Sequence, residues 1–124
     1  HHPIERFNRA WSYPPGVPHD EGGDLLATLS QCCELLLVSS GHTHAHRRRV
    51  VAGITTTEVG SPKDFPGVWA GYVMYDRGVR QVLRRVSSPQ VRDWLHHTRL
   101  GAAGIWGRWS PGRLSDRSLQ VQRG

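Results

Sequence analysis

Two histidines one residue apart, His42 and His44, follow the apolar run Leu35-Leu36-Leu37-Val38 through Ser39-Ser40-Gly41. Neutral imidazole is the commonest side-chain ligand for divalent transition metals, and a pair at i and i+2 makes half of such a site. A short apolar run stopped by small residues reads as a buried strand ending in a turn. The histidines then fall on the loop at its C-terminal end, where open α/β sheets keep their chemistry. In extended backbone, residues i and i+2 share a side, so His42 and His44 are expected to face one site while Thr43 faces away, with Gly41 allowing the tight turn. The same spacing fits a His-rich surface loop beside the basic run Arg47-Arg48-Arg49, so the rest of the chain has to decide.

The elements that must position this pair can be read in order. Residues 5–22 hold Tyr13-Pro14-Pro15-Gly16-Val17-Pro18 with single aromatics at Phe7, Trp11 and Tyr13, an irregular segment pinned by its rings. Leu25, Leu26, Leu29, Cys32 and Cys33 recur at helical intervals after Asp24 and predict a helix at about 23 to 33. A strand at about 35 to 39 follows, one helix-then-strand step of a layered sheet. The β-branched stretches 49–52 and 54–59, separated by Gly53, predict two short strands about a turn or bulge. Residues 68–75 and 79–86 flank Asp76-Arg77-Gly78 and predict a hairpin with glycine where positive φ is wanted. Pro89 suits a first helical turn, and Val91, Trp94, Leu95 and Thr98 predict a helix at about 89 to 100, on which His96 and His97 read as surface positions. Residues 110–124 are polar and aperiodic and are expected to form a poorly ordered tail. The fold class is therefore α/β (α+β), mostly β sheet with flanking helices, in one domain over residues 1–109.

Composition narrows the class further. Among 124 residues, 16 basic and 10 acidic side chains give a net charge of +6, and Lys63 is the only lysine. Arginine favours bidentate contacts to phosphate or carboxylate, which suits a phosphate-bearing substrate or a nucleic acid; biased codon usage in a GC-rich genome explains the same composition. The adjacent Cys32 and Cys33 are the only cysteines, which excludes a disulfide framework and a cysteine-based zinc site. No apolar stretch approaches the roughly 20 residues that span a bilayer, and no signal segment opens the chain, so a cytoplasmic location is expected. The sequence opens on a histidine pair, which also fits the remnant of an affinity tag.

With the chain laid out, His1-His2-Pro3 and, some forty residues later, Gly41-His42-Thr43-His44 resemble the last two motifs of the calcineurin-like metallophosphoesterases, His-x-Pro and Gly-His-x-His. The proline-rich loop, helix and apolar strand between them match the family's spacing, and the likeness extends to about residue 86. It implies a partial four-layer αββα sandwich, with residues 1–109 as the C-terminal half of the domain. It also implies phosphoester hydrolysis by two divalent ions, of manganese, iron or zinc, that orient the phosphate and activate a water. Residue by residue, His1 and His42 would serve one metal and His44 the other; no catalytic residue and no organic cofactor is implied. The family's Asp-x-His, Gly-Asp-x-x-Asp and Gly-Asn-His motifs do not occur in these residues. The resemblance places them upstream of His1, in the N-terminal half that would be this chain's partner along with a phosphoester substrate.

A second class is a non-catalytic basic module, in which Arg47 to Arg49 and the face carrying Arg80, Arg84 and Arg85 hold nucleic acid or an acidic partner. No membrane partner is expected.

Overall fold

The computed structural model describes residues 1–4, 15–32 and 35–122. The aromatic-pinned stretch around Phe7, Trp11 and Tyr13, and Cys33, lie outside them; Cys32 is an exposed free thiol.

The first helix, α1, spans His19–Ser30, starting and ending earlier than the leucine period predicts. Asp20 and Glu21 in its first turn complement the helix dipole. The chain packs tightly at Gly22, where a Cβ would lie 2.2 Å from Cγ2 of Ile4. Ile4 in turn bridges to Val17, which ties the first residues to the entry of α1. The helix buries Leu26.

Strands β1 (Leu37–Ser40), β2 (Arg47–Val51) and β3 (Ile54–Glu58) form one sheet in the order β1-β3-β2. β1 runs parallel to β3 and β2 antiparallel to it, through a turn in which Ala52 and Gly53 both have positive φ. Strands β4 (Val68–Tyr75), β5 (Gly78–Arg85) and β6 (Leu119–Gln122) form a second, antiparallel sheet. The architecture is thus α+β with two sheets in place of one continuous layer. Helices α2 (Pro89–Arg99) and α3 (Ile105–Trp109) lie between β5 and β6 in sequence. His96 and His97 are exposed on α2, as expected.

The tail corrects the sequence expectation. Leu119–Gln122 pairs with Gly78–Gln81 and buries Leu119, a strand too short to leave a legible period. Gly78 serves this pairing and is not a positive-φ turn residue: a Cβ there would lie 2.6 Å from the Val121 carbonyl.

The sheets meet through hydrogen bonds. Ser39 pairs with Thr57 in the first sheet, and Tyr72 with Gln81 in the second. Across the interface the Ser39 and Tyr72 hydroxyls lie 2.5 Å apart, and Thr57 Oγ1 donates to Gln81 Oε1 at 3.0 Å. The interior is accordingly mixed: buried Leu26, Ile54, Val68, Val79, Leu95 and Leu119 share it with buried Thr43, His46, Thr57, Glu58, Gln81 and Ser110. Such hydrogen bonds add only about 1 kcal/mol each, but stranding one partner costs roughly 1–3 kcal/mol, so they specify the arrangement more than they stabilise it.

His46 is the most constrained of these polar groups, with 1% of its surface exposed. Its Nδ1 accepts the Gly60 N–H at 3.2 Å and its backbone N–H donates to the Ser110 carbonyl at 3.0 Å. Burial, reinforced by the positive charge of Arg117, lowers its pKa from 6.5 to about 4. The unfolded chain therefore binds this proton first as the pH falls. The stability owed to neutral His46 is complete above 6.5 and drains away towards pH 4. A His46→Asn variant keeps an acceptor for Gly60 without the titration. Its thermal midpoint should fall less steeply than the wild type's between pH 6.5 and 4; parallel profiles would contradict this reading of His46.

Candidate functional site

β1 ends at Ser40, and the next backbone group joins two distant parts of the chain: the Gly41 N–H donates to the His1 carbonyl at 2.9 Å. The missing Cβ of Gly41 makes room for the His1 ring, whose Cε1 would lie 3.3 Å from it. Room, and not a special φ, is what glycine supplies here. The loop that follows is not extended. His42 and His44 adopt φ of 63° and 53°, left-handed conformations that cost about 1–2 kcal/mol each for residues with a Cβ. The shared side expected from i, i+2 spacing assumed extended backbone, which the loop does not have. Thr43 turns inward as expected, and its hydroxyl donates to Glu58 Oε2 at 2.7 Å.

His42 joins the first two residues. Its ring centroid lies 5.4 Å from that of His1 and 3.9 Å from that of His2. His2, to which the sequence assigns no role, is thus the nearer partner. Its Nδ1 is 3.2 Å from the Pro15 carbonyl, which can only accept, so Nδ1 carries the proton and Nε2 the lone pair. Among the described residues, His42 Nε2 is buried without a hydrogen-bond partner. Burial, then repulsion between protonated forms of His42, His2 and His44, hold its pKa below 6.5, favouring the neutral, ligating form.

His44 is held elsewhere. Its Nδ1 lies 2.5 Å from Asp64 Oδ2, and the Trp106 ring meets it edge-on at 6.2 Å. Asp64 sits in a loop fastened to α2: Trp94 Nε1 donates to the Lys63 carbonyl at 3.1 Å, and the Phe65 N–H donates to Thr98 Oγ1 at 2.8 Å. Gly67 lies so close to Leu95 that a Cβ would be 2.0 Å from its Cδ1. Neither Asp64 nor Trp106 was readable as a site residue, because their approach depends on this packing and on no local spacing.

The basic run divides by strand alternation. Arg49 Nη2 donates to Glu58 Oε1 at 3.1 Å and to the Ile4 carbonyl at 2.8 Å, while Arg47 lies 3.8 Å from Glu58 and stacks its guanidinium 4.6 Å over Trp109. Arg48 points the other way and is exposed. A cleft of about 990 Å³ runs from His1 and His2 past Arg48 to Arg113, with Leu25 and Leu26 of α1 in its walls. Guanidinium groups beside imidazoles suit a phosphate-bearing ligand.

Comparison with known protein families, with curated proteins and with solved structures finds no match. Among the described residues no group of three or more His, Cys, Asp or Glu is arranged to hold a metal ion, and no helix is long and apolar enough to cross a membrane. The donor chemistry suits at most one divalent ion of the zinc class: among the described residues His42 Nε2 is buried without a partner, and the His2 ring lies 3.9 Å from the His42 ring. It does not fit two, because imidazoles alone compensate four positive charges poorly and the carboxylates nearby, Glu58 and Asp64, are already engaged.

A strained loop kept for chemistry should be removable at a profit to stability. Replacing His42 with glycine, which tolerates φ of 63° and carries no orphaned nitrogen, should raise unfolding stability by about 1 kcal/mol, read from the urea midpoint. A loss of stability would mean that the ring is a packing element.

Proposed function

We propose that the chain is the C-terminal portion of a calcineurin-like metallophosphoesterase domain and contributes imidazoles to a site for metal-dependent hydrolysis of a phosphoester. The observation that carries this reading is the meeting of His1 and His2 with His42 at the C-terminal end of β1, across some forty residues, around an unpartnered buried nitrogen. The finer expectation of an αββα sandwich belongs to the same proposal. The polar interface between the two sheets supports it, as do the exposed Tyr72 and Met74 on the face of β4 that turns towards the first sheet. Carboxylate ligands and further strands would come from sequence outside these residues.

In this reading a bound divalent ion supplies Lewis acidity towards a phosphoryl oxygen and lowers the pKa of an attacking water. The chain's own groups do the rest. The Pro15 carbonyl orients His2, the backbone bond from Gly41 fixes His1, and burial keeps His42 unprotonated. Arg48 and Arg113 in the cleft wall receive negative charge on the substrate away from the histidines.

Zinc or manganese titration of the wild-type chain against a His42→Ala, His44→Ala double variant tests this. One weakly held ion in the wild type and at least a tenfold loss in the variant are expected, with inorganic phosphate binding only to the zinc-loaded wild type. Equal metal binding by both proteins would remove the loop from the site.

A second reading, a basic nucleic-acid module, gains one specific observation. On the outer face of the second sheet, Trp69 stands opposite Arg84 and Val73 opposite Arg80, with Tyr75 at the strand end. Trp69, Val73 and Tyr75 are 50%, 45% and 51% exposed. Exposed rings beside guanidinium groups make a stacking platform for single-stranded nucleic acid. The salt dependence of oligonucleotide binding, followed by anisotropy, should then lose about 1.4 from its log–log slope in an Arg80→Gln, Arg84→Gln variant. A slope unchanged by the substitutions, or no binding at low salt, would dismiss this reading.

A further inference from the structure

We infer that Asp64 is the positioning residue for His44: its carboxylate fixes the neutral ring as the Nδ1–H tautomer and leaves Nε2 as the one free lone pair. The geometry is direct. Asp64 Oδ2 lies 2.5 Å from His44 Nδ1, and an ionised carboxylate only accepts, so the proton of that bond belongs to the imidazole. Both side chains are partly covered, at 31% and 17% exposure, so the bond is shielded from competing water without being sealed off.

The loop that delivers Asp64 is itself fixed. Lys63 and Phe65, the residues on either side, are each hydrogen-bonded to α2, and the Gly67 N–H donates back to the Asp64 carbonyl at 2.7 Å. Trp106 of α3 closes on the ring from another side. Since φ of 53° already restricts the His44 backbone, the ring is held through its main chain and by two elements at once. Among the described residues the ring, 31% exposed, meets the Asp64 carboxylate and the Trp106 ring. The arrangement has the logic of a carboxylate–histidine–ligand relay, in which the partner of one ring nitrogen fixes the tautomer and raises the basicity of the other. α2 buries Leu95 against Gly67 and is hydrogen-bonded to the Lys63 carbonyl and the Phe65 N–H, so it secures the segment that carries Asp64.

This inference rests on the proposed metal-dependent reading for what Nε2 would bind, but not for the tautomer. The two are therefore tested by separate measurements. Two-bond ¹H–¹⁵N correlation of the metal-free wild-type chain at about pH 9, where imidazoles are neutral, reports which nitrogen of His44 is protonated. Protonation at Nδ1 is expected in the wild type and a switch to predominantly Nε2–H in Asp64→Ala, the form that an unconstrained imidazole favours. An Nε2–H ring in the wild type overturns the inference whatever the variant does, so it is falsifiable even if Asp64→Ala fails to fold. The same tautomer in both proteins overturns it too. Zinc is the second probe: affinity should fall about 10- to 100-fold in Asp64→Ala. An unchanged zinc affinity beside the tautomer switch overturns the link from Asp64 to ligation. If the wild type binds no zinc while the switch occurs, the tautomer assignment stands and the metal reading fails.

Discussion

The site depends on one buried carboxylate. Glu58, 2% exposed at the end of β3, accepts the Thr43 hydroxyl with one oxygen and the Arg49 guanidinium with the other, and Arg49 carries the link on to the Ile4 carbonyl. Three segments distant in sequence meet there: the histidine loop, β2, and the residues just after His1 and His2. Removing one partner from a buried pair costs about 3–5 kcal/mol, a large share of the roughly 5–15 kcal/mol that stabilises a domain. The neighbouring left-handed residues, His42 and His44, persist because Thr43 between them is anchored so firmly.

Around this anchor the protein is built with hydrogen bonds where a larger domain would use apolar volume. Gln81, fully buried, receives Thr57 from the other sheet and donates to the Arg117 carbonyl. Much of the apolar surface lies outside: Trp69, Val73, Met74 and Tyr75 on the edge strand β4 are all exposed. An uncharged eight-residue edge without proline has none of the usual guards against pairing. Among the described residues this apolar surface is left uncovered and the buried Nε2 of His42 is left without a hydrogen-bond partner.

Much of the fold was legible because local chemistry dictated it. Proline at the start of α2, the β-branched runs on either side of Gly53 and the turn at Asp76-Arg77 each act within a few residues. What escaped depended on tertiary contact. The earlier start of α1 goes with the packing of Ile4 against Gly22, and Leu119–Gln122 looked like tail until Gly78 made room for it. The third strand of the second sheet, β6, was likewise not announced by the sequence. The site followed the same rule. The meeting of the His1 segment with Gly41 and His42 was readable from two motifs, whereas His2 and Asp64 gained their places from the Pro15 carbonyl and from a loop fastened to α2. The expectation of a common side for His42 and His44 assumed extended backbone where the chain is left-handed.

The central claim is that Glu58 assembles the two histidine segments into one place. Nuclear Overhauser contacts between the ring protons of His2 and His42 test it most directly, measured in the wild type and in Glu58→Gln, which keeps an acceptor for Thr43 but removes the negative charge that faces Arg49. The account predicts clear cross-peaks in the wild type that vanish or weaken severely in the variant, while contacts between His44 and Trp106, held from α2 and α3, persist. Absence of the His2–His42 contacts in the wild type, or their survival undiminished in Glu58→Gln, would contradict it.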